Sequence, residues 1–558
     1  MGTTVRKTSI IDLPSELLSI IFNFAHKDTI PIRLERDIIP TWMRMEGPEG
    51  FQQSVSALVR PNIPEELNLK SPALFPYSLA AVCSFWRDIL CSHPEFWTLV
   101  VLFIDSKPTS LVETSLFLKW SQRHHIDVFI TRRDELRSTY YPDLHEKCQI
   151  AAFLYLLKPH LGRCRSLHID AHLSTSFPII HKIFDEIAAP YLEFMELVCD
   201  THAFADYEYD SDWDDGNDFD PDLTQVVIDG TNFRVTSGNL DNWLSRCIRL
   251  SQITIAHYKP GDNNNYCFES FLDSIDSLPY LDQLKLEDLH FSISPDNTPD
   301  IFLTTPYVHL VDVSESFIGD MSKFALFDTL SVLRITRCPL PALHNFDSMP
   351  ITLILEDISS NVNLLDAVTA WEGENLWLDR CQSFSGAFLK VLGRRRSSGY
   401  PCLSLRRLLL YRLPKFSISS LKKMVQRRNR DVRYGDSNWK TATAFGPAIS
   451  HLAVVQCGLE KLSAKDERWF RSHLVEFHWS QFSFLYIFAV TDHTKSSTLI
   501  YGGVFCVRRA SIIFIHFAIV VLRVPNFLEF FYLKKFTKFA LTHQLYPTYP
   551  KHHRVLCK

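Results

Sequence analysis

The sequence predicts an α/β protein in which a small helical module, residues 1–98, precedes an irregular solenoid, residues 99–480. Two observations support the solenoid: a short apolar phrase recurs after Trp97, and apolar residues with helical spacing lie between its copies. A third is length, because 558 residues exceed what one ordinary hydrophobic core holds together. The predicted solenoid has short parallel strands, with helices on its convex side.

The repeated phrase has the loose form L-x-x-L-x-L, which places alternate side chains of one short strand in the core. Clear copies begin at Leu99, Leu192, Leu223, Leu250, Leu281, Val308, Leu330, Leu405 and Ile449, and partial copies at Leu167, Leu353 and Leu376. Successive copies are mostly about 20 to 32 residues apart, as in leucine-rich repeats. The phrase therefore predicts a leucine-rich-repeat-like solenoid, and a mixed α/β domain of another topology is the alternative. Solenoids bind macromolecules through distributed contacts, so the expected ligand is a target protein.

Composition indicates a folded protein in a reducing compartment. Hydrophobic residues make up 46% of the chain, and a net charge of -5 gives no cationic field for a nucleic-acid backbone, so no nucleic-acid partner is expected. The 13 cysteines include no C-x-x-C pair, which argues against a zinc site and a disulfide framework. The N-terminus lacks the apolar stretch of a signal peptide. We therefore expect a cytoplasmic or nuclear protein with free thiols.

Two stretches near the N-terminus have the spacing of amphipathic helices. The first, DLPSELLSIIFNFA, begins with the capping residue Asp12 and a proline that suits the first helical turn. Its apolar face is predicted to contain Leu13, Leu17, Ile20, Ile21 and Phe24. The second, LAAVCSFWRDIL, ends before His93-Pro94. Its predicted face contains Leu79, Val82, Cys83, Trp86 and Leu90. The alternative is that both are core helices of a larger helical domain.

Together these strings resemble the F-box family at Leu13–Phe22, Leu79–Arg87 and Pro94–Trp97. The resemblance implies a three-helix module that binds the Skp adaptor of a cullin-RING, SCF-type ubiquitin ligase, with the target on the solenoid and the chemistry performed by other subunits. It assigns adaptor binding to Leu13, Pro14, Leu17, Leu18, Ile21, Leu79, Val82, Cys83, Trp86 and Trp97. So small a module cannot bury enough apolar surface to be stable alone, so an exposed apolar face is expected. The alternative function is a membrane-associated or adaptor-independent repeat scaffold.

Three segments depart from this organisation. A proline-rich insertion, residues 27–75, separates the first two helices and resembles insertions in the F-box-like proteins of mushroom-forming fungi. An acidic segment, residues 206–222, lacks the glycine and glutamate spacing of a calcium loop. A solvated loop is expected there, with a contact for a basic partner as the alternative. Residues 481–558 form a basic and apolar extension of unclear role.

The extension contains an uncharged apolar run, Ala510–Leu522, bracketed by Arg508, Arg509 and Arg523. The run is shorter than the roughly 20 residues that a membrane-spanning helix needs. A buried strand or helix packed on the solenoid end is therefore favoured. A single membrane span and a segment outside the native coding sequence are the alternatives.

No string in the sequence predicts a catalytic residue, a cofactor or a metal site. Phosphate-binding and nucleophile motifs do not occur, and His473 and His478 have the wrong spacing for a zinc helix. A terminal helix that caps the solenoid is predicted to contain Trp469, Phe470, Leu474, Phe477 and Trp479. Two basic runs, Arg394–Arg396 and Arg427–Arg430, are expected to be solvated loops, with nuclear import as the alternative.

Overall fold

The structure, a computed structural model, describes residues 13–29 and 69–480 with several gaps. The longer gaps are 134–143, 178–188, 202–221, 238–243, 260–265, 292–300, 344–348, 396–399 and 434–447, and others span one or two residues. Most of the proline-rich insertion, nearly all of the acidic segment and the whole extension from residue 481 lie outside the described residues. The predictions for those three segments therefore stay predictions.

Sixteen short strands follow one another through the described part of the chain. They are β1 Leu99–Phe103, β2 Ile126–Thr131, β3 Cys164–Leu173, β4 Phe194–Thr201, β5 Gln225–Asp229, β6 Gln252–Tyr258, β7 Gln283–Leu289, β8 Ile301–Phe302, β9 Tyr307–Val311, β10 Ala325–Leu326, β11 Val332–Thr336, β12 Thr352–Glu356, β13 Asn375–Asp379, β14 Arg407–Tyr411, β15 His451–Val455 and β16 Glu476–Ser480. Strands β8 and β10 pair with each other, and the other 14 form one parallel sheet in chain order. The predicted α/β class, with parallel strands in a solenoid-like series, is confirmed.

Helices precede the sheet and connect its strands. They are α1 Ser15–Thr29, α2 Tyr77–Ala80, α3 Ser84–Cys91, α4 Leu111–Trp120, α5 Leu144–Leu157, α6 Gly230–Ser237, α7 Phe268–Asp276, α8 Glu315–Phe324, α9 Leu364–Thr369, α10 Gly386–Leu392, α11 Ile418–Arg433 and α12 Ala464–His473, with 3-10 turns at Pro94–Trp97 and Lys158–Arg163. Within the described part of the chain, no helix has the length and apolar character needed to cross a bilayer.

Equivalent residues of successive strands pair in register, and this builds the main core. Leu284 of β7 pairs with Val308 of β9, which pairs with Leu333 of β11. These three side chains are buried in one hydrophobic cluster with residues of the connecting helices. Each strand contributes alternate side chains to this cluster because successive side chains of a strand point to opposite faces. The repeated phrase therefore marks, in each strand, the apolar residues that point into the main core.

A left-handed residue follows most strands of the C-terminal half. Arg337 has a φ of 56° and Arg380 a φ of 50°. The backbone N–H of Arg337 donates to the carbonyl of Glu356 on the next strand at 3.0 Å. The next residue then returns to the core, as Cys338 and Cys381 do. Their thiols donate to backbone carbonyls, and Cys381 reaches that of Leu355 at 3.3 Å.

The phase predicted for two copies of the phrase, those that begin at Leu99 and Val308, is wrong. Strand β1 places Val100 and Leu102 in the main core, and Leu99 lies outside that cluster. Val308 and Leu310 point into the main core, whereas Val311 lies outside that cluster although the phrase placed it inside. Strand β9 is buried along its whole length, so apolar residues occur on both of its faces. The identity of a residue therefore does not indicate its direction in this strand.

Among the 14 strands of the main sheet, the phrase also misses β2 and β16. Phe477 and Trp479 belong to β16, where they pair with Leu452 and Val454, and helix α12 ends before them at His473. The prediction of one terminal helix through all five apolar residues is therefore wrong. Alternation of Phe477 and Trp479 about a polar residue is typical of a strand.

The basic run Arg427–Arg430 is not a solvated loop. It lies in helix α11, and Arg428 and Asn429 are almost completely buried. Asn429 donates to the carbonyls of Ile449 and His473 at 3.0 Å and accepts from the N–H of Ile449 at 2.9 Å. The described part of the other run, Arg394 and Arg395, is exposed.

Candidate partner-binding surfaces

The N-terminal helices form a small separate core. Helix α1 buries Leu18 and Phe22 against α3, where the rings of Phe22 and Trp86 meet edge to face with centroids 5.3 Å apart. Phe96 and Trp97, from the 3-10 turn, complete this core. The module is therefore held together by only a few large side chains.

A second side of helix α1 is also apolar, and it faces solvent. Leu17, Ile20 and Phe24 have 47%, 51% and 67% of their surfaces exposed. Their spacing of three and four residues places them in one row along the helix. We call Leu17, Ile20 and Phe24 the exposed row. Sequence spacing predicts one apolar face for α1, and the exposed row belongs to it. In the structure, however, the α1 side chains buried in the core of the module are Leu18 and Phe22.

The second apolar stretch forms two short helices, so the prediction of one helix is wrong. The chain turns at Ala81 and Val82. Cys83 is extended and caps α3, with its sulfur accepting from the N–H of Trp86 at 3.5 Å. The break leaves Val82 and Phe85 exposed by 57% and 39%. Both exposed side chains belong to the same module as the exposed row.

The ten residues assigned to adaptor binding fall into three groups. The exposed ones are Pro14, Leu17 and Val82. The half-buried ones are Leu13, Ile21, Leu79 and Cys83. The buried ones are Leu18, Trp86 and Trp97. Buried side chains can support a binding surface in this conformation but cannot form it, and the assignment of the set to an adaptor stays a prediction.

The set of residues assigned to adaptor binding omits three exposed apolar residues of the module, namely Ile20, Phe24 and Phe85. Ile20 and Phe24 share the helical spacing of Leu17, so periodicity identifies them as apolar face residues. Nothing in the sequence identifies Phe85, because its exposure depends on the turn that precedes α3.

Two aromatic side chains attach the module to the rest of the chain, Tyr77 at strand β1 and Trp97 at helix α4. The Tyr77 hydroxyl donates to the carbonyl of Leu99 at 2.8 Å and accepts from the N–H of Val101 at 3.0 Å. It therefore satisfies the outer edge of β1, where no further strand pairs in the described part. Trp97 packs against Phe117 and Trp120 of helix α4, with ring centroids 5.6 and 4.5 Å away.

The sheet has a second face, opposite the main core, which we call the open face. At its N-terminal end, the ring of His168 stacks on Phe129 with centroids 4.0 Å apart, and Phe194 contacts its other side. His168 Nδ1 lies 2.6 Å from a carboxylate oxygen of Glu196. All four side chains are half-buried. This region offers a partner a mixed aromatic and acidic surface.

Charged side chains form ion pairs across strands at the C-terminal end of the open face. Arg334 and Arg380 both reach Glu356, each at 2.6 Å, and Arg380 also lies 2.5 Å from Asp357. Burial alone would raise the pKa of Glu356, but the neighbouring guanidinium groups, chiefly that of Arg334, hold it below its ordinary value. Because the opposite charges are paired, this part of the face is polar without a strong excess of either sign.

Two buried histidines of the open face predict that stability depends on pH. Burial holds the pKa of His309 well below 6.5 and that of His451 at about 4. Between pH 6.5 and 4 the unfolded chain protonates at position 451 while the folded chain stays neutral, so stability falls as pH falls through this window. For His451 alone this loss is up to about 3 kcal/mol.

We therefore expect His451→Gln to lose less unfolding free energy than the wild type between pH 7 and 4.5, by about 2 kcal/mol. Urea denaturation followed by circular dichroism at both pH values measures the difference. His124→Gln, at an exposed histidine, should retain the wild-type pH dependence. If the wild type and His451→Gln lost the same unfolding free energy between pH 7 and 4.5, the attribution of this pH dependence to His451 would be wrong.

Among the described residues, no group of three or more His, Cys, Asp or Glu side chains lies close enough together to hold a metal ion. Burial raises the pKa of the Cys164, Cys381 and Cys402 thiols to about 12. These thiols are therefore protonated, and weak nucleophiles, at neutral pH.

No protein-family model matches the chain, and the comparison with curated proteins gives no match. The exposed row, the attachment of the module to β1 and the open face of the sheet are the surface features of the described residues that bear on function.

Proposed function

We propose that this chain is the substrate-recognition subunit of an SCF-type ubiquitin ligase. In this proposal the N-terminal module binds the Skp adaptor, the open face of the sheet binds the target protein, and other subunits transfer ubiquitin. The observation that carries the proposal is the exposed row of Leu17, Ile20 and Phe24 on a module with a very small core.

The exposed row supports adaptor binding on energetic grounds. Leaving large apolar side chains in water is unfavourable, and burial of such surface yields about 25 cal/mol per Å². A row with a spacing of three and four residues fits against the apolar face of another helix. Val82 and Phe85 add exposed apolar surface on the same module, so a partner helix could contact both α1 and α3.

The open face suits a protein target for a different reason. It extends over 14 strands, and its side chains include stacked rings, carboxylates and guanidinium groups. A surface of this type binds through many moderate contacts spread over several repeats. Such recognition needs no catalytic group on this chain, because in this proposal other subunits of the ligase transfer ubiquitin to the target.

Leu17→Asp is expected to abolish co-purification of the full-length chain with a Skp-type adaptor. Leu17 lies in the first turn of α1, where a carboxylate is favoured by the helix dipole, so the helix itself should not be weakened. The charge would, however, be desolvated beneath a partner helix. Affinity purification from cells that express the adaptor and the cullin measures the loss.

A matched control uses the same kind of change away from the module. Ile248 is 63% exposed in the solenoid, so Ile248→Asp should keep both the fold and adaptor binding. Circular dichroism and thermal unfolding must show that Leu17→Asp is folded. A folded wild-type chain that never co-purifies with the adaptor would refute the proposal.

A second candidate function is an adaptor-independent repeat scaffold in which the N-terminal helices only cap the sheet. The contacts of Tyr77 with β1, and of Trp97 with Phe117, favour a capping role. Pull-down partners distinguish the two candidates. A scaffold would retain its partners when Leu17 is changed to aspartate, and none of them would be a ligase subunit.

A further inference from the structure

Two neighbouring helices of the solenoid, α7 and α8, expose mainly negative charge. The helices are in contact, because the rings of Phe268 and Phe317 meet with centroids 5.2 Å apart. Helix α7 contains no basic residue, and the one basic residue of α8, Lys323, pairs with Asp320 at 3.5 Å. The exposed acidic residues of the two helices form what we call the acidic patch: Asp273, Asp276 and Glu315.

Helices α10, α11 and α12 expose charge of the opposite sign. Helix α11 contains six basic residues and one acidic residue, and α10 contains no acidic residue. The two acidic residues of α12, Asp466 and Glu467, already pair with Lys422 and Arg471. Other exposed basic residues on or directly after these helices form what we call the basic patch: Lys390, Arg394, Arg395, Lys423, Arg427, Arg430, Lys465 and Arg468.

The basic patch is continuous across the three helices because they pack closely. A Cβ atom added to Gly393, directly after α10, would lie 2.9 Å from the Cα atom of Met424 in α11, so these two backbones are almost in contact. On the other side of α11, the Nζ atom of Lys422 lies 5.1 Å from the ring centroid of Trp469 in α12. The charges of α10, α11 and α12 therefore belong to one surface.

Both patches lie on the same side of the sheet. All five helices that carry them bury side chains in the main core, and these include Phe271, Ile318, Leu389, Leu421 and Phe470. The helices therefore cover the face of the sheet opposite the open face. The strands of the sheet follow chain order, and α9 lies between α8 and α10 in the chain. The acidic patch and the basic patch are therefore neighbouring regions of one surface.

A chain that carries both patches on one side is complementary to a second copy of itself. A partner that is only acidic or only basic would need one of the patches, and the other would have no role. In a dimer with two-fold symmetry each patch meets its opposite, so the same pair of patches is used twice. Complementary charges of this kind fix the register of two surfaces and speed their association.

We propose that this side of the sheet is a homodimer interface, in which the acidic patch of each copy contacts the basic patch of the other. The open face lies on the opposite side of the sheet, so both copies keep it available for a target protein. The inference does not depend on adaptor binding, because the exposed row takes no part in the contact.

Sedimentation equilibrium of the purified full-length chain tests the dimer. At about 0.05 M salt we expect a dimer, and at about 0.5 M salt a dissociation constant higher by about tenfold or more, because salt screens exposed charges. A wild-type chain that stays monomeric at the lower salt concentration overturns the proposal.

Charge reversal tests which residues meet. Asp273→Lys together with Asp276→Lys reverses the acidic patch, and Lys423→Glu together with Arg427→Glu reverses the basic patch. Both substituted positions of α7 lie in its last turn, where lysine is favoured, and glutamate is a good helix former inside α11. Each double variant alone should be monomeric at the lower salt concentration. An equimolar mixture of the two should form a heterodimer, because opposite charges again face each other.

A matched control reverses two lysines outside both patches. Lys119→Glu together with Lys147→Glu changes exposed residues of helices α4 and α5 and should dimerise like the wild type. We expect thermal unfolding of every variant to match that of the wild type. A dimer that survives either patch reversal assigns the association to other residues and overturns the proposal. If both double variants are monomeric and their mixture does not associate, the two patches do not contact each other, and the proposal is wrong as well.

Discussion

Replacing Arg428 with methionine is expected to lower the free energy of unfolding by about 3–5 kcal/mol. Arg428 is completely buried in helix α11. Its guanidinium donates to the carbonyls of Leu392 at 3.1 Å and of Pro401 and Cys402 at 2.8 Å. Burial lowers its pKa to about 10, so it remains charged at neutral pH. Methionine would fill much of the space but leave three buried carbonyls without these donors.

The control for this prediction lies two residues away on the same helix. Arg430 is exposed, so Arg430→Met should change stability by no more than about 0.5 kcal/mol. Urea denaturation of both variants, followed by circular dichroism, gives the comparison. A cost below about 1 kcal/mol for Arg428→Met would mean that the three carbonyls find other donors.

The parallel strands could be predicted from sequence because each repeat buries its own alternate residues. Leu353-x-Leu355 and Leu376-x-Leu378 lie in adjacent strands in register, as a repeated phrase requires. The same reasoning fails where a strand is buried on both faces, as β9 is. The left-handed residues that follow most strands of the C-terminal half could not all be predicted, since Arg337, Arg380 and Arg412 are not of a type that favours this conformation.

The candidate site could be located from sequence but not resolved into buried and exposed residues. Helix α1 is apolar on two sides, so periodicity alone cannot decide whether Leu17 or Leu18 packs inward. The buried state of Arg428 is equally hidden, because Leu392, Pro401 and Cys402 are distant in sequence and supply backbone atoms only. Charge runs usually indicate solvated faces, and this position is an exception.

Replacing Trp97 with alanine is expected to cost about 3–5 kcal/mol and to loosen the attachment of the module to the sheet. Trp97 is only 1% exposed, packs between the module and helix α4, and donates from Nε1 to the carbonyl of Leu90 at 3.0 Å. Alanine leaves a cavity on both sides of this junction. Thermal unfolding measures the stability loss, and hydrogen exchange at α3 and β1 measures the local loosening.

Trp97→Phe separates packing from direct partner contact. Phenylalanine retains most of the ring packing on Phe117 and loses the hydrogen bond to Leu90, so we expect a cost of about 1–2 kcal/mol. Because Trp97 is buried, the proposed function predicts that the folded Trp97→Phe chain binds the adaptor as tightly as wild type. Lost adaptor binding with an unchanged melting temperature would instead place Trp97 in direct contact with the partner, as the family resemblance implies. The module would then have to open when it binds.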